Sequence, residues 1–259
     1  MSRSAPGGVR AWQVGVVLTT ILTIVMNVLA NVLPIGGRDT GQISDMFPTT
    51  VTPAGYVFSI WLVIYVGLVG YAIWQALPAR RDHDRAAAIA LPVMVANVAN
   101  ALWIVAWHNL WIGTALLLML VLLGALCTLY VRLRARGPAP DRGERLWAWG
   151  TFSVYLGWIT VATVANVSIY FVDLGWGGDP LPASAWGALT LVVATALGVR
   201  MLRWQRDAAY ALVLVWAFIG IVVAQTSLWL VAGTAVLGVL VLAYVAAATP
   251  RKPGYTGAT

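Results

Sequence analysis

The sequence predicts an all-α protein, a bundle of helices that crosses a lipid bilayer about eight times. Three observations lead to this prediction. Of the 259 residues, 61% are hydrophobic and only 10% are charged, whereas soluble domains carry about 25% charged residues. The apolar residues fall into runs of roughly 20, the length that a helix needs to cross a hydrocarbon core ~30 Å thick. The basic residues are concentrated in alternate loops.

Eight apolar runs account for most of the chain. They cover approximately residues 12–34, 54–77, 87–107, 110–132, 147–172, 185–204, 208–225 and 227–248. A single helix from Ala208 to Ala248 would be about 60 Å long, twice the hydrocarbon thickness. The polar stretch Gln225-Thr226-Ser227 interrupts this region near its middle. We therefore expect a tight turn there, and eight spans rather than seven.

The distribution of positive charge supports this count. With eight spans, the two termini and the even-numbered loops share one side, and they hold 15 of the 16 Lys and Arg residues. Only Arg38 falls on the opposite side, with Asp39, Asp45, Asp173 and Asp179. The positive-inside rule predicts cytoplasmic termini, and we expect the plasma membrane as the location. The net charge of +7 is explained by loops that contact anionic lipid, so no nucleic-acid partner is expected.

Ionisable residues are confined to loops and span ends, which argues against several classes of membrane protein. Ion-coupled pumps and many transporters hold charged side chains at membrane depth. No span contains a lysine for a retinal Schiff base. His83 lies in a charged loop and His108 in the predicted hairpin between spans three and four, and two distant histidines are too few for a metal site. We expect no metal, no required cofactor and no catalytic residue.

The polar residues within the spans are neutral. An amide in hydrocarbon is costly unless it is hydrogen-bonded, so these side chains are expected to face the interior of the bundle. Two roles stay open for them: interhelical hydrogen bonds worth about 0.6 to 2 kcal/mol each, or the polar part of a ligand pocket. The set comprises Asn27, Asn31, Gln75, Asn97, Asn100, Thr160, Thr163 and Asn166.

The fifth span carries a stripe of aromatic, small and amide side chains. Trp158, Ala162, Asn166 and Tyr170 are spaced by four residues, and Tyr155 lies three before Trp158, so all five share one helical face. The alanine leaves a gap, the amide offers a donor and an acceptor, and the rings form flat apolar walls. Such a face suits a large planar ligand with polar edges. Ordinary helix packing would produce the same spacing, and this alternative stays open.

Three of the predicted spans carry motifs of aromatic and polar residues. The fifth span has Tyr155-Leu156-x-Trp158-x-x-x-Ala162-Thr163-x-x-Asn166-x-x-x-Tyr170, and the third has Asn100-x-x-Trp103. The second begins with Pro53, Tyr56-Val57-Phe58 and Trp61-x-x-x-Tyr65. Together these segments resemble the tryptophan-rich sensory protein family, which includes the translocator protein, or peripheral benzodiazepine receptor. The resemblance covers roughly residues 10–172. It implies a five-helix domain there, followed by about three additional spans of unknown role over residues 185–248.

The resemblance implies an integral membrane receptor, sensor or binding protein for tetrapyrroles (porphyrin, haem) or similar flat apolar ligands, with a transport role also open. An enzyme that degrades porphyrin is one alternative, which light- and oxygen-dependent loss of bound porphyrin would reveal. A carrier of another class is a second alternative, which net flux in sealed vesicles would reveal. The expected partners are the lipid bilayer and a planar small molecule, and a homodimer is compatible with the sequence.

The resemblance also implies which side chains contact the ligand. These residues are Tyr56, Trp61, Tyr65, Asn100, Trp103, Trp158, Ala162 and Asn166. Within this predicted pocket, Ala162→Leu is expected to obstruct a planar ligand and to leave the fold intact, because an apolar side chain at membrane depth leaves no polar group unpaired.

Cysteine labelling tests the predicted topology. Residues 137–141 should be cytoplasmic, and the loops that hold Asp45 and Gly177 should face outward, because the basic residues are segregated. In intact cells, we expect an impermeant thiol reagent to label Gly177→Cys and to spare Ala139→Cys. Labelling of Ala139→Cys but not of Gly177→Cys would show the opposite orientation.

Overall fold

The structure, a computed structural model, describes residues 10–33 and 37–249, and most of these residues are helical. Five short helical segments lie at Thr40–Asp45, at Gly55–Ser59 just before α2, at Pro78–Arg80 between α2 and α3, at residues 142–150 just before α5, and at Met201–Gln205 just after α6. The eight long helices are α1 (Ala11–Val32), α2 (Ile60–Ala76), α3 (Asp84–His108), α4 (Ile112–Arg134), α5 (Thr151–Asp173), α6 (Ala183–Arg200), α7 (Ala208–Ala224) and α8 (Trp229–Ala248). No strand occurs within the described ranges, and the predicted all-α fold is confirmed.

The long helices are those of a multi-pass membrane protein. Counted with the adjoining turns, seven of them in the described part of the chain are long and apolar enough to cross a membrane. The remaining helix, α7, is apolar and has 17 residues, which gives a length of ~26 Å, at the lower limit for a span. The break predicted at Gln225-Thr226-Ser227 is present between α7 and α8.

The first five long helices form a closed ring in the order α1, α2, α5, α4, α3. Side-chain amides connect neighbouring helices in this ring. Asn27 Nδ2 on α1 donates to Asn100 Oδ1 on α3 at 2.7 Å. Gln13 Nε2 on α1 donates to the carbonyl oxygen of Gln75 on α2 at 2.6 Å. These four amide side chains are buried, as the cost of placing an unpaired amide in hydrocarbon requires.

The three C-terminal helices form a second layer on one side of the ring. α7 packs against α5, and α8 packs against α6 and α7. The approach of α7 is close, since a Cβ atom at Gly157 on α5 would lie 3.1 Å from the carbonyl oxygen of Tyr210 on α7. Near the other end of α7, the backbone N–H of Ala54 donates to the carbonyl oxygen of Gly220 at 3.0 Å. α7 is therefore attached to the ring along most of its length.

The basic loops that were predicted to share one side meet at one end of the bundle. Arg10, next to α1, pairs with Asp82 in the α2–α3 loop. Arg80 donates to Asp141 in the α4–α5 loop at 2.7 Å. Partial burial of Asp141 opposes its ionisation, but hydrogen bonds from the backbone N–H of Glu144 and from Arg80 outweigh this and hold the pKa of Asp141 below its usual value. The carboxylate form that pairs with Arg80 is thereby favoured.

Asp207, which caps the N-terminus of α7, joins the second layer to the ring. Its carboxylate accepts hydrogen bonds from Tyr130 at 2.8 Å, from Arg134 at 2.8 Å and from Ser153. It also accepts the backbone N–H of Tyr210 at 3.1 Å. The Asp207 side chain is only 3% exposed and that of Arg134 is 14% exposed. One buried carboxylate thus receives donors from α4, α5 and α7.

Replacement of this carboxylate should weaken the whole bundle. In Asp207→Asn the charge of Arg134 stays buried without its counter-charge, and breaking such a pair costs about 3–5 kcal/mol. We expect a clearly lower melting temperature in detergent. The matched control is Asp82→Asn, because the Arg10–Asp82 pair is exposed and surface pairs contribute little. Equal melting temperatures for the two variants would contradict the role of Asp207.

Candidate functional site

The predicted binding residues converge at the end of the ring opposite the basic loops. Trp61, near the start of α2, lies at the centre of the cluster. Its ring centroid is 5.9 Å from that of Trp103 on α3 and 6.1 Å from that of Trp158 on α5. Tyr65, one helical turn later on α2, stacks on Trp61 at 5.6 Å. The three tryptophans are buried, and we call them, with Ala162 and Asn166, the tryptophan cluster.

The polar part of the tryptophan cluster is Asn166. Trp103 Nε1 donates to Asn166 Oδ1 at 3.2 Å, which links α3 to α5. Asn166 Nδ2 in turn donates to the carbonyl oxygen of Ala162, one turn earlier, at 2.9 Å. The amide orientation is therefore fixed by both its donor and its acceptor side. Of the stripe that the sequence predicts on α5, Tyr155, Trp158, Ala162 and Asn166 are buried, and Tyr170 is half-buried.

The tryptophan cluster encloses a cavity of about 20 Å³, which is room for about one water molecule. Several residues outside the predicted set also line it. Phe58 and Pro53 come from the segment before α2, and Trp107 from the end of α3. Phe58 packs edge-on against Trp158, with ring centroids 5.8 Å apart. The cavity is closed in this structure.

The short helix Thr40–Asp45 covers the cavity, and it was not predicted. It begins with a capping box, in which Asp39 Oδ1 accepts the backbone N–H of Gln42 at 2.8 Å and Gln42 Oε1 accepts that of Asp39 at 2.9 Å. An acidic residue followed three positions later by glutamine is a known signal for a helix start. The pair Asp39 and Gln42 was therefore the sequence signal that would have located this helix.

Thr40 attaches the short helix to the end of α3. Trp107 Nε1 donates to the carbonyl oxygen of Thr40 at 3.2 Å, and Thr40 Oγ1 lies 3.3 Å from His108 Nε2. His108 is 4% exposed and is the last residue of α3. His108 was predicted to lie in the hairpin, and α3 extends one residue beyond the predicted span to include it.

Three of the predicted residues, Tyr56, Tyr65 and Asn100, do not line the cavity. Tyr56 is 44% exposed, and its ring packs edge-on against Trp216 of α7 at 5.2 Å. Asn100 is fully buried and accepts the hydrogen bond from Asn27 described above. For Asn27 and Asn100, the structure supports the interhelical role that the sequence left open.

A larger, open groove adjoins the closed cavity. It lies between α1 and α2 and has a volume of about 610 Å³. Thr40, Phe58 and Trp61 line both the groove and the cavity, and Tyr65 lines the groove. The two spaces are therefore separated by the aromatic side chains at the start of α2 and by the short helix.

One buried polar atom of the tryptophan cluster, Trp158 Nε1, has no hydrogen-bond partner within residues 10–33 and 37–249, and Trp158 is 2% exposed. A buried polar group without a partner costs about 1–3 kcal/mol. Because Trp158 lines the cavity, its N–H is a donor available to a group bound there.

The small cavity changes the expectation for Ala162. Ala162 is 8% exposed and lines the cavity of about 20 Å³, which cannot hold the additional carbons of leucine. Overpacking of this kind costs about 1–3 kcal/mol. Ala162→Leu is therefore expected to lower stability, and it is a poor probe of ligand obstruction.

The amide pair of α1 and α3 can be tested by a double replacement. Asn27→Leu leaves the Asn100 side chain without its donor, which should destabilise the protein by about 1–3 kcal/mol. Adding Asn100→Leu should restore part of this loss, since no amide is then left unpaired. Melting temperatures of the single and double variants check this. A double variant less stable than Asn27→Leu would contradict the pairing.

Comparison with known protein families gives a match over most of the chain. A family model described as TSPO-like protein matches residues 13–248. The match includes the segments that carry the resemblance and continues through the three C-terminal helices. No curated protein and no solved structure matches the chain. The suspected relationship is confirmed, and the chain belongs to the TSPO-like protein family.

Proposed function

We propose that this protein is a receptor or binding protein for tetrapyrroles such as porphyrin or haem, located in the plasma membrane with both termini in the cytoplasm. The observation that supports this most strongly is the tryptophan cluster. Three buried rings from three helices surround a small residue, Ala162, and an oriented amide, Asn166. In this proposal the site, which lies opposite the basic loops, is in the outer half of the membrane.

The chemistry of the tryptophan cluster matches that of a tetrapyrrole. The indole rings of Trp61, Trp103 and Trp158 supply large apolar faces, and ring-to-ring contacts contribute about 0.5–1.5 kcal/mol beyond the burial of area. A porphyrin has a flat apolar face and carboxylates on its edge. Trp158 Nε1, which has no acceptor within the described part of the chain, is suited to donate to such an edge group.

Ligand binding requires the closed cavity to open. Its volume of about 20 Å³ is far below the ~300–1,000 Å³ of ligand pockets. Outward movement of the short helix, Phe58 and Trp61 would join the cavity to the groove of about 610 Å³. In this proposal the ligand selects the open arrangement, since it contacts the tryptophan cluster only there.

Porphyrin titration of Trp158→Phe tests the proposal. The variant lacks the indole N–H and part of the ring area, so we expect about tenfold weaker binding, equivalent to ~1.4 kcal/mol. The matched control is Trp74→Phe. Trp74 is also buried, at 6% exposure, and its Nε1 also lacks a hydrogen-bond partner among the described residues, but it lies near the basic loops. Absorbance titrations and melting temperatures are measured together for purified proteins.

The two measurements separate binding from stability. Weaker binding only in Trp158→Phe supports the proposed site, whatever the two melting temperatures are. Equal porphyrin affinity in the parent protein and Trp158→Phe would mean that the tryptophan cluster is purely structural. Light- and oxygen-dependent loss of the bound porphyrin would instead indicate an enzyme, and net flux across sealed vesicles would indicate a carrier.

A further inference from the structure

A second pocket, of about 320 Å³, lies between the ring and the second layer of helices. The last turns of α5, the first turns of α6 and residues 48–50 surround it. None of its lining residues belongs to the tryptophan cluster or to the groove between α1 and α2. Its volume falls within the ~300–1,000 Å³ of small-molecule sites, so it has room for a ligand without rearrangement.

A row of three aromatic rings forms one wall of this pocket. The centroids of Phe171 and Trp176 are 4.8 Å apart, and those of Trp176 and Trp186 are 5.8 Å apart. Trp186 is held in place by its Nε1, which donates to the carbonyl oxygen of Gly178 at 2.8 Å. No charged side chain is among the residues of the described chain that line the pocket. A charged ligand would lose its hydration without gaining a counter-charge, so the pocket favours a neutral one.

The hydroxyl groups that line the pocket define its hydrogen-bonding character. Thr50 Oγ1 donates to a backbone carbonyl oxygen at 3.2 Å, Ser168 Oγ at 2.9 Å and Thr190 Oγ1 at 2.8 Å. A hydroxyl has one hydrogen and two lone pairs, so these three groups have used their donors and keep acceptor capacity. A fourth lining hydroxyl, Thr49 Oγ1, shares a hydrogen bond with Thr52 Oγ1 at 2.6 Å, and the N–H of Trp186 is used within the protein. The three hydroxyls whose donors are committed therefore complement a ligand that donates.

We propose that this pocket binds a neutral, flat, apolar ring compound that carries an N–H or O–H donor. The aromatic wall of Phe171, Trp176 and Trp186 contacts the ring system. The lone pairs of Ser168, Thr190 or Thr50 accept the ligand's hydrogen. This site is separate from the proposed tetrapyrrole site, and the two can be occupied independently.

Binding of indole and indene to the protein in lipid nanodiscs tests this proposal. Indole is a flat neutral ring compound with an N–H, and indene has nearly the same shape but no donor. Equilibrium dialysis against loaded and empty nanodiscs separates saturable binding from partition into lipid. We expect saturable binding of indole and about 3- to 10-fold weaker saturable binding of indene, the effect of one net hydrogen bond.

Two variants test whether indole binds in this pocket. Thr190→Val keeps the shape of the side chain and removes its lone pairs, so it should weaken indole severalfold and leave indene unchanged. Trp176→Ala removes part of the aromatic wall and should weaken both compounds. Trp176 is 41% exposed, so its removal should not unfold the protein. Trp111→Ala, at a 57% exposed tryptophan on the same side of the membrane, is the control and should bind both compounds as the parent protein does.

Four outcomes would overturn the proposal. The first is that loaded nanodiscs take up no more indole than empty ones, and the second is that indole and indene bind with equal affinity. The third is that both Thr190→Val and Trp176→Ala bind indole as the parent protein does. The fourth is that only Trp158→Phe loses indole binding. The first would mean that lipid chains fill the pocket, and the last would put the probe in the tryptophan cluster. Porphyrin affinity in Trp176→Ala should equal that of the parent protein, so failure here is distinguishable from failure of the tetrapyrrole proposal.

Discussion

A side-chain amide in the hydrocarbon core of a bilayer can find a hydrogen-bond partner only within the protein, and the five-helix ring is arranged around this constraint. Asn27 and Asn100 join α1 to α3, and Asn166 with Trp103 joins α3 to α5. Each bond fixes the rotation of two helices about their axes. Because the tryptophans lie on the same helical faces as the amides, they are turned into the ring as well. The geometry of the candidate site follows from pairing the amides.

A buried carboxylate has the corresponding role between the ring and the second layer. Asp207 receives donors from α4, α5 and its own helix, α7. This sets where α7 begins, and the close approach at Gly157 sets how tightly it lies on α5. α6 and α8 then pack against α7. The pocket lined by Phe171, Trp176 and Trp186 exists only because α6 is held at this distance from the end of α5.

The tryptophan cluster is closed in this structure, yet it contains one polar atom without a partner in the part of the chain that the structure describes. Trp158 Nε1 is buried and unpaired in the part of the chain that the structure describes, a cost that the surrounding apolar packing offsets. A site of this kind gains more from a ligand that supplies the missing acceptor than a fully satisfied core would. The short helix Thr40–Asp45 is attached through Thr40 to α3 and to Asn31 on α1, and its Ile43 is buried. These interactions have to break for the site to open.

Residue composition and periodicity alone determined that this is a multi-pass helical membrane protein, that a break separates α7 from α8, and that Trp158, Ala162 and Asn166 share a face. These properties are local, since they depend on apolar length and on the 3.6-residue repeat. Only the tertiary structure decided that Tyr56 turns toward Trp216, that Asp207 is buried, and that the predicted pocket is closed to about 20 Å³. Each of these depends on a contact between residues far apart in the chain, and the hydrophobic pattern of one helix contains no information about which neighbour covers it.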